Sequence, residues 1–203
     1  MAKTTIEFMK ENRVVAVIRS ASYEKSLEFA RACVDGGIKI IEIISISPGS
    51  ERLLRKLASE EGISVGAGTV LDRDSAERMC DCGAHFIVSP HTDPRIIEYC
   101  RESGITVVSG AVTSSEMVNA RAMGADFVKI FPASSFGSGY VKAIKNSLGF
   151  MDIMVTGGIT AENMQDYFSA GAALTGVSTV LLGGGCDYQS IKQKAGEFSR
   201  FFT

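Results

Sequence analysis

A chain of 203 residues, 45% of them hydrophobic, is long enough to bury one sizeable core. Its formal net charge of −2 and pI near 5.8, with Lys and Arg scattered, argue against nucleic acid or an anionic membrane as partner, so any phosphate must be held locally. The five cysteines, Cys33, Cys80, Cys82, Cys100 and Cys186, lack the paired spacings of a zinc site and suit a reducing cytoplasm.

A short amphipathic segment around Ile6, Phe8 and Met9 predicts an N-terminal helix. Charges run through residues 1–13, which have no apolar core for export, and no later run reaches the length of a membrane span. A soluble, cytoplasmic protein is expected. The apolar run Val14–Ile18 reads as a buried strand ending at Arg19. Ser22 then caps a helix with Leu27, Phe29, Ala30 and Val34 on its apolar face, closed by Gly36-Gly37. A second strand over 38–44 is interrupted by Glu42, and Pro48 is expected to open the helix carrying Leu53, Leu54 and Leu57.

The same unit recurs. Strands at 63–68, 85–88, 105–108 and 126–131 alternate with helices at 73–82, 93–103, 114–122 and 139–147. Strand 152–155 then leads to helix 161–169, and strand 173–177 to a last helix over 188–201. Gly37, Gly62, Gly83, Gly104, Gly124 and Gly171 mark helix ends. Eight βα units at a repeat of about 25 residues predict an α/β fold, a (β/α)8 TIM barrel with a short N-terminal helix, as one domain over 1–203. A doubly wound open sheet is the alternative, but it usually has fewer strands and carries a Gly-rich fingerprint after the first, which is missing here. Cys80 and Cys82, and Met79, Met117, Met123 and Met164, fall in predicted helices and read as core fillers.

In such a barrel the chemistry sits at the C-terminal ends of the strands. Here that set holds Arg19, Glu42, Ser45, Thr69, Ser89, His91, Thr113, Lys129, Thr156 and Thr179. Lys129 lies inside an apolar strand, where Phe127 and Phe131 share its face and Val128 and Ile130 take the other. An ammonium in such surroundings costs several kcal/mol, so a lysine there snorkels to water, pairs with a carboxylate, or becomes a neutral, nucleophilic amine. Glu42 on the second strand and Lys129 on the sixth belong to strands that share interior layers, so they are expected to face each other. They form either a structural ion pair or a Schiff-base nucleophile with its proton carrier. Gly157-Gly158 after strand seven and Ser178-Thr179 after strand eight lie where barrels hold phosphate on backbone N–H groups and hydroxyls. Gly66-Ala67-Gly68-Thr69 puts small residues where a backbone approaches a ligand or a helix packs closely. His91 reads as a solvated loop residue and His85 as structural.

Taken together, these segments resemble the 2-keto-3-deoxy-6-phosphogluconate (KDPG) and 4-hydroxy-2-oxoglutarate (KHG) aldolases, class I enzymes that work through a Schiff base. The resemblance rests on Ile41-Glu42-Ile43, Gly66-Ala67-Gly68-Thr69-Val70, Ile87-Val88-Ser89-Pro90, Val128-Lys129-Ile130-Phe131-Pro132-Ala133 and Thr156-Gly157-Gly158-Ile159. It implies a homotrimeric barrel that needs no metal or cofactor. Lys129 would be the Schiff-base lysine and Glu42 the acid/base. Thr69 and Pro90 would line the pyruvate half, with Phe131 packed on it. Thr156, Gly157, Gly158, Ser178 and Thr179 would complete the substrate site, the glycines and Thr179 holding a distal phosphate. The implied partners are a small keto acid and a phosphorylated aldehyde: KDPG cleaved to pyruvate and glyceraldehyde 3-phosphate, with 4-hydroxy-2-oxoglutarate as a second substrate. A phosphate-binding isomerase or lyase without covalent catalysis, and a non-catalytic ligand-binding barrel, are the alternatives. The sequence departs from the family pattern in three places. Ile46 stands where many relatives have an arginine for the substrate carboxylate, Ser178-Thr179 replaces Gly-Ser, and Ser109 replaces a proline. Arg19, on the alternation of Val15 and Val17, is the candidate replacement cation.

Overall fold

Eight short parallel strands close on one another in chain order, each paired with the next and the last with the first. The computed structural model describes residues 4–183 and 187–201; the expectation for Cys186 lies outside them. In order the elements are α1 (Thr5–Asn12), β1 (Val14–Ile18), α2 (Tyr23–Asp35), β2 (Ile40–Ile44), α3 (Ser50–Ala58), β3 (Ser64–Gly68), α4 (Arg73–Asp81), β4 (Phe86–Ser89) and α5 (Pro94–Glu102). There follow β5 (Thr106–Gly110), α6 (Ser114–Met123), β6 (Phe127–Ile130), α7 (Gly137–Ser147), β7 (Ile153–Thr156), α8 (Met164–Ser169), β8 (Leu174–Val177), α9 (Thr179–Leu182) and α10 (Tyr188–Ser199). The fold is a (β/α)8 barrel, and the strands are buried along their whole length because one face meets the interior and the other the helices.

That division makes two cores. Val15, Val17, Ile40, Ile44, Phe86 and Met154 belong to the interior, while Ala16, Ile18, Ile41, Ile43, Val128 and Ile130 pack outward under the helices. Met9 of α1 joins the interior set with no exposed surface. Around it, Lys10 pairs with Asp152 at 2.7 Å and Arg13 donates to the carbonyls of Ala172 and Ala173, so α1 covers the end where the strands begin.

Helix starts follow the side chains that satisfy their free N–H groups. Ser22 accepts from Lys25, Asp72 from Ser75 and Asp93 from Arg95, while Thr113 and Glu116 form a reciprocal capping box. The third helix corrects the sequence expectation. It begins at Ser50, because the chain after β2 turns first, with Ser47 N–H on the Ile44 carbonyl and Gly49 at φ 71, so Pro48 lies in the turn. Two short elements lacked a sequence signal: a 3-10 turn over Ala133–Ser135 and the four-residue α9. Met79, Met117 and Met164 are buried as expected, whereas Met123, in the last turn of α6, is 38% exposed. Cys82 is buried and Cys80 half-buried.

Candidate active site

The register brings the two charged interior residues to the same part of the barrel. Val17, Glu42 and Gly66 lie side by side on β1, β2 and β3, and Gly110, Lys129 and Met154 on β5, β6 and β7. Lys129 Nζ stands 3.7 Å from Glu42 Oε1, with the side chains 9% and 0% exposed. Neither Glu42 oxygen has a hydrogen-bond partner among the described residues. A buried carboxylate is normally saturated with donors, so among the described residues this one is held in place by packing and by Lys129. Room for it comes from glycine: a Cβ at residue 68 would lie 2.0 Å from Glu42 Oε1, and one at residue 66 would lie 2.4 Å from the Phe86 ring. The small residues of Gly66-Ala67-Gly68 are therefore a requirement of the carboxylate and of Phe86.

The pair opens onto a cavity of about 460 Å³ at the C-terminal end of the strands. All eleven residues given a catalytic or substrate-binding role from the sequence line it: Arg19, Glu42, Thr69, Pro90, Lys129, Phe131, Thr156, Gly157, Gly158, Ser178 and Thr179. On the Lys129 side, the Phe131 ring centroid lies 5.8 Å from Nζ and Phe131 is 56% exposed, so that ring forms the rim. Thr156 is buried, and Gly176 beside it leaves no space for a side chain, since a Cβ there would lie 2.8 Å from Thr156 Oγ1.

The far end is built from backbone. Gly157 and Gly158 both have positive φ, 89° and 78°, which side chains rarely tolerate, and a Cβ on Gly158 would lie 2.5 Å from that of Ser134. Ser178 donates its hydroxyl proton to the Val17 carbonyl at 2.7 Å, tying β8 to β1, whereas the exposed Thr179 hydroxyl makes no hydrogen bond among the described residues and faces a ligand at that turn. Arg19 is exposed at the cavity edge and makes no hydrogen bond or ion pair among the described residues. Ile46 is 67% exposed and does not line the cavity.

The other strand-end candidates lie elsewhere. Thr113 is consumed as the cap of α6, Ser89 is buried against His91 Nδ1 at 3.2 Å, and Ser45 sits behind the cavity wall. His91 is exposed and lines a neighbouring cavity of about 430 Å³, which shares Pro90, Lys129 and Phe131 with the first. His85 bridges β4 to β3, its Nδ1 accepting from Val65 N–H at 3.2 Å, and burial lowers its pKa from 6.5. Sequence reasoning missed Val17, Ile44 and Gly176 on the walls and Ile159, Thr160 and Val180 at the rim. Ile44 lies two residues from Glu42 on β2, and Val17 two residues before Arg19 just past the end of β1, and period two was the signal that would have found them.

The family described as KDPG and KHG aldolase matches residues 5–194. The chain is similar to the 2-dehydro-3-deoxy-6-phosphogalactonate aldolase of Escherichia coli strain K12, 30% identical over 192 residues that cover 93% of this chain and 94% of that one. It is also similar to the KHG/KDPG aldolase of the same organism, at 30% identity over 98% of this chain and 92% of that one. The native KDPGal structure matches with a TM-score of 0.86, at 30% identity over 92% of each chain.

Proposed function

The chain belongs to the KDPG and KHG aldolase family, and we propose that it cleaves 2-keto-3-deoxy-6-phosphogluconate to pyruvate and glyceraldehyde 3-phosphate through a Schiff base on Lys129. The observation that carries this reading is the Lys129–Glu42 pair, 3.7 Å apart, buried, without other polar partners at the carboxylate among the described residues, and open to a ligand-sized cavity. It is an aldolase, a carbon–carbon lyase.

Lys129 gives one proton to Glu42, and the neutral amine that remains adds to the C2 carbonyl of the keto acid, a second N–H proton passing to the oxygen to give the carbinolamine. Glu42, as the carboxylic acid, protonates the carbinolamine hydroxyl, which leaves as water and yields a protonated imine. Glu42, now carboxylate, removes the proton of the C4 hydroxyl. The C3–C4 bond breaks, its electron pair moves to the iminium, and the products are an aldehyde at the former C4 and an enamine of pyruvate. Glu42 returns its proton to C3, and water hydrolyses the protonated imine to free pyruvate, the amine keeping the proton so that the charged Lys129–Glu42 pair is restored. In this reading Arg19 and Thr69 receive the keto-acid carboxylate in place of an arginine at position 46. Pro90, Phe131 and Thr156 pack the reacting carbons. The N–H groups of Gly157 and Gly158, with the Thr179 hydroxyl, receive the phosphate, while Ser178 holds β8 to β1 beside them.

A second substrate, 4-hydroxy-2-oxoglutarate, fits the same scheme with glyoxylate as the released aldehyde. The relative named for phosphogalactonate favours a further one, the C4 epimer of the first, and comparing kcat/KM for the two epimers decides between them. We also propose a homotrimer, supported by family membership and tested by sedimentation against three times the 21.7 kDa chain mass. A cytoplasmic location is supported by the free thiols of Cys33, Cys80, Cys82 and Cys100.

The test is borohydride reduction in the presence of pyruvate, followed by peptide mass spectrometry. A reduced pyruvate adduct on the Lys129 peptide, absent from Lys129→Met, is expected. Arg19→Ala should raise the half-saturating pyruvate concentration by about tenfold or more, the worth of a charge-assisted hydrogen bond. No adduct in a folded wild-type chain would leave the isomerase and the non-catalytic barrel as the readings that stand. An unchanged half-saturation in Arg19→Ala removes that residue from the carboxylate site.

A further inference from the structure

The strand that ends at Thr69 changes phase as it reaches the cavity. In β3 the odd-numbered Val65 and Ala67 pack outward, and the even-numbered Gly66 and Gly68 face the interior, against Phe86 and Glu42. Continued, the alternation would send Thr69 out under the helices and Val70 inward. The opposite is found: Thr69 lines the cavity, and Val70, with no exposed surface, belongs to the outer core. The reversal occurs at Thr69 itself, whose φ is 56. A β-branched residue is rare in that left-handed region because its side chain crowds its own backbone, so the conformation has to be imposed by its surroundings.

The contacts that impose it come from the two neighbouring strands. Ser45, just past the end of β2, donates its hydroxyl to the Thr69 carbonyl at 3.0 Å and its backbone N–H to the Gly68 carbonyl at 2.8 Å. Ser45 is itself fixed, its carbonyl accepting from the Ser50 hydroxyl at 2.6 Å, and Ser50 is buried at the first turn of α3. On the other side, Val70 N–H donates to the Val88 carbonyl of β4 at 3.2 Å. The Thr69 peptide is thus gripped from both flanks, and among the described residues Ser45 supplies the only side chain in the grip.

We propose that Ser45 is a positioning residue: its hydroxyl holds Thr69 in the left-handed conformation that turns the Thr69 side chain into the cavity to meet the keto acid. The second half rests on the aldolase reading above; the first half does not. Ser45 touches no substrate and acts through Thr69.

The experiment compares wild type, Ser45→Ala, Ser45→Thr, Thr69→Gly and the Ser45→Ala/Thr69→Gly double variant with two readouts. One is amide hydrogen exchange at Val70 in the ligand-free protein. The other is the pyruvate concentration that half-saturates borohydride trapping on Lys129, set beside kcat for aldol cleavage. Loss of one hydrogen bond predicts that Ser45→Ala raises both the exchange rate and the half-saturating concentration about three- to tenfold, with kcat within about twofold. Ser45→Thr, which keeps the hydroxyl, should restore both. Glycine adopts the left-handed region freely, so adding Ser45→Ala to Thr69→Gly should shift half-saturation by less than about twofold. Unchanged Val70 exchange in Ser45→Ala overturns the proposal, as does an equal Ser45→Ala effect in the glycine background. If wild type traps no pyruvate, the aldolase reading fails by itself and the exchange arm alone decides for or against the latch. Should Ser45→Ala not fold, Ser45→Cys, with the same shape and a weaker donor, carries the same comparisons.

Discussion

Glu42 and Lys129 have opposite consequences for stability and for chemistry. Taking two charges out of water is expensive, and a 3.7 Å pair whose carboxylate has no other donor recovers that cost poorly. A pair kept for stability would instead be wrapped in hydrogen bonds. The expected outcome is that the double variant Glu42→Leu/Lys129→Met is as stable as wild type or more so, while losing all aldolase activity. Thermal or urea unfolding checks this, and a loss above about 2 kcal/mol in the double variant would mean that the pair holds the barrel together. Lys129→Met alone should be the less stable protein, since it strands the Glu42 charge in an apolar site. The single substitutions by themselves do not separate the two roles.

Between elements, the joints that matter are the side-chain links from one strand end to the next. His85 is such a link, accepting the Val65 N–H at its Nδ1 while its own backbone N–H donates to the Val65 carbonyl at 2.8 Å. Burial, the larger influence, holds its pKa below 6.5, against a raising contribution from the Ala58 carbonyl. In the folded state the ring therefore stays neutral at a pH where the unfolded chain binds a proton. Where the unfolded state binds more protons, stability falls as pH falls, so this contribution is present above pH 6.5 and declines below it. Unfolding free energy measured from pH 7.5 to 5.5 should show that decline, and His85→Asn, which keeps an acceptor but cannot take the proton, should flatten it. A slope unchanged in His85→Asn would assign the pH dependence to other groups.

Across the whole molecule the barrel separates stability from chemistry by its two ends. Met9, from α1, is fully buried against the interior core where the strands begin, and the cavity lies where they end. Met9→Ala should cost about 2–5 kcal/mol of unfolding free energy, the usual range for such a cavity, and leave KM and kcat for aldol cleavage unchanged. A change in KM would show that the two ends are coupled. The sequence by itself determined the order and number of the βα units, because period-two strands, capped helices and glycine stops are local signals. It also determined that Glu42 and Lys129 point inward, because alternation is a property of each strand alone, and with the barrel assumed their meeting followed from strands two and six. Only the tertiary structure decided three things. Helix α3 starts after Pro48, because the turn out of β2 is set by the Ser47 N–H bond to the Ile44 carbonyl and by the left-handed backbone of Gly49. Met123 is left 38% exposed at the last turn of α6, because burial depends on which face of the helix meets the barrel and its neighbours, not on membership of the helix. Thr69 faces the cavity through a left-handed backbone that its own β-branched side chain disfavours; the bonds from Ser45 and to Val88 that hold it there join three strands, and no local pattern in one strand encodes them.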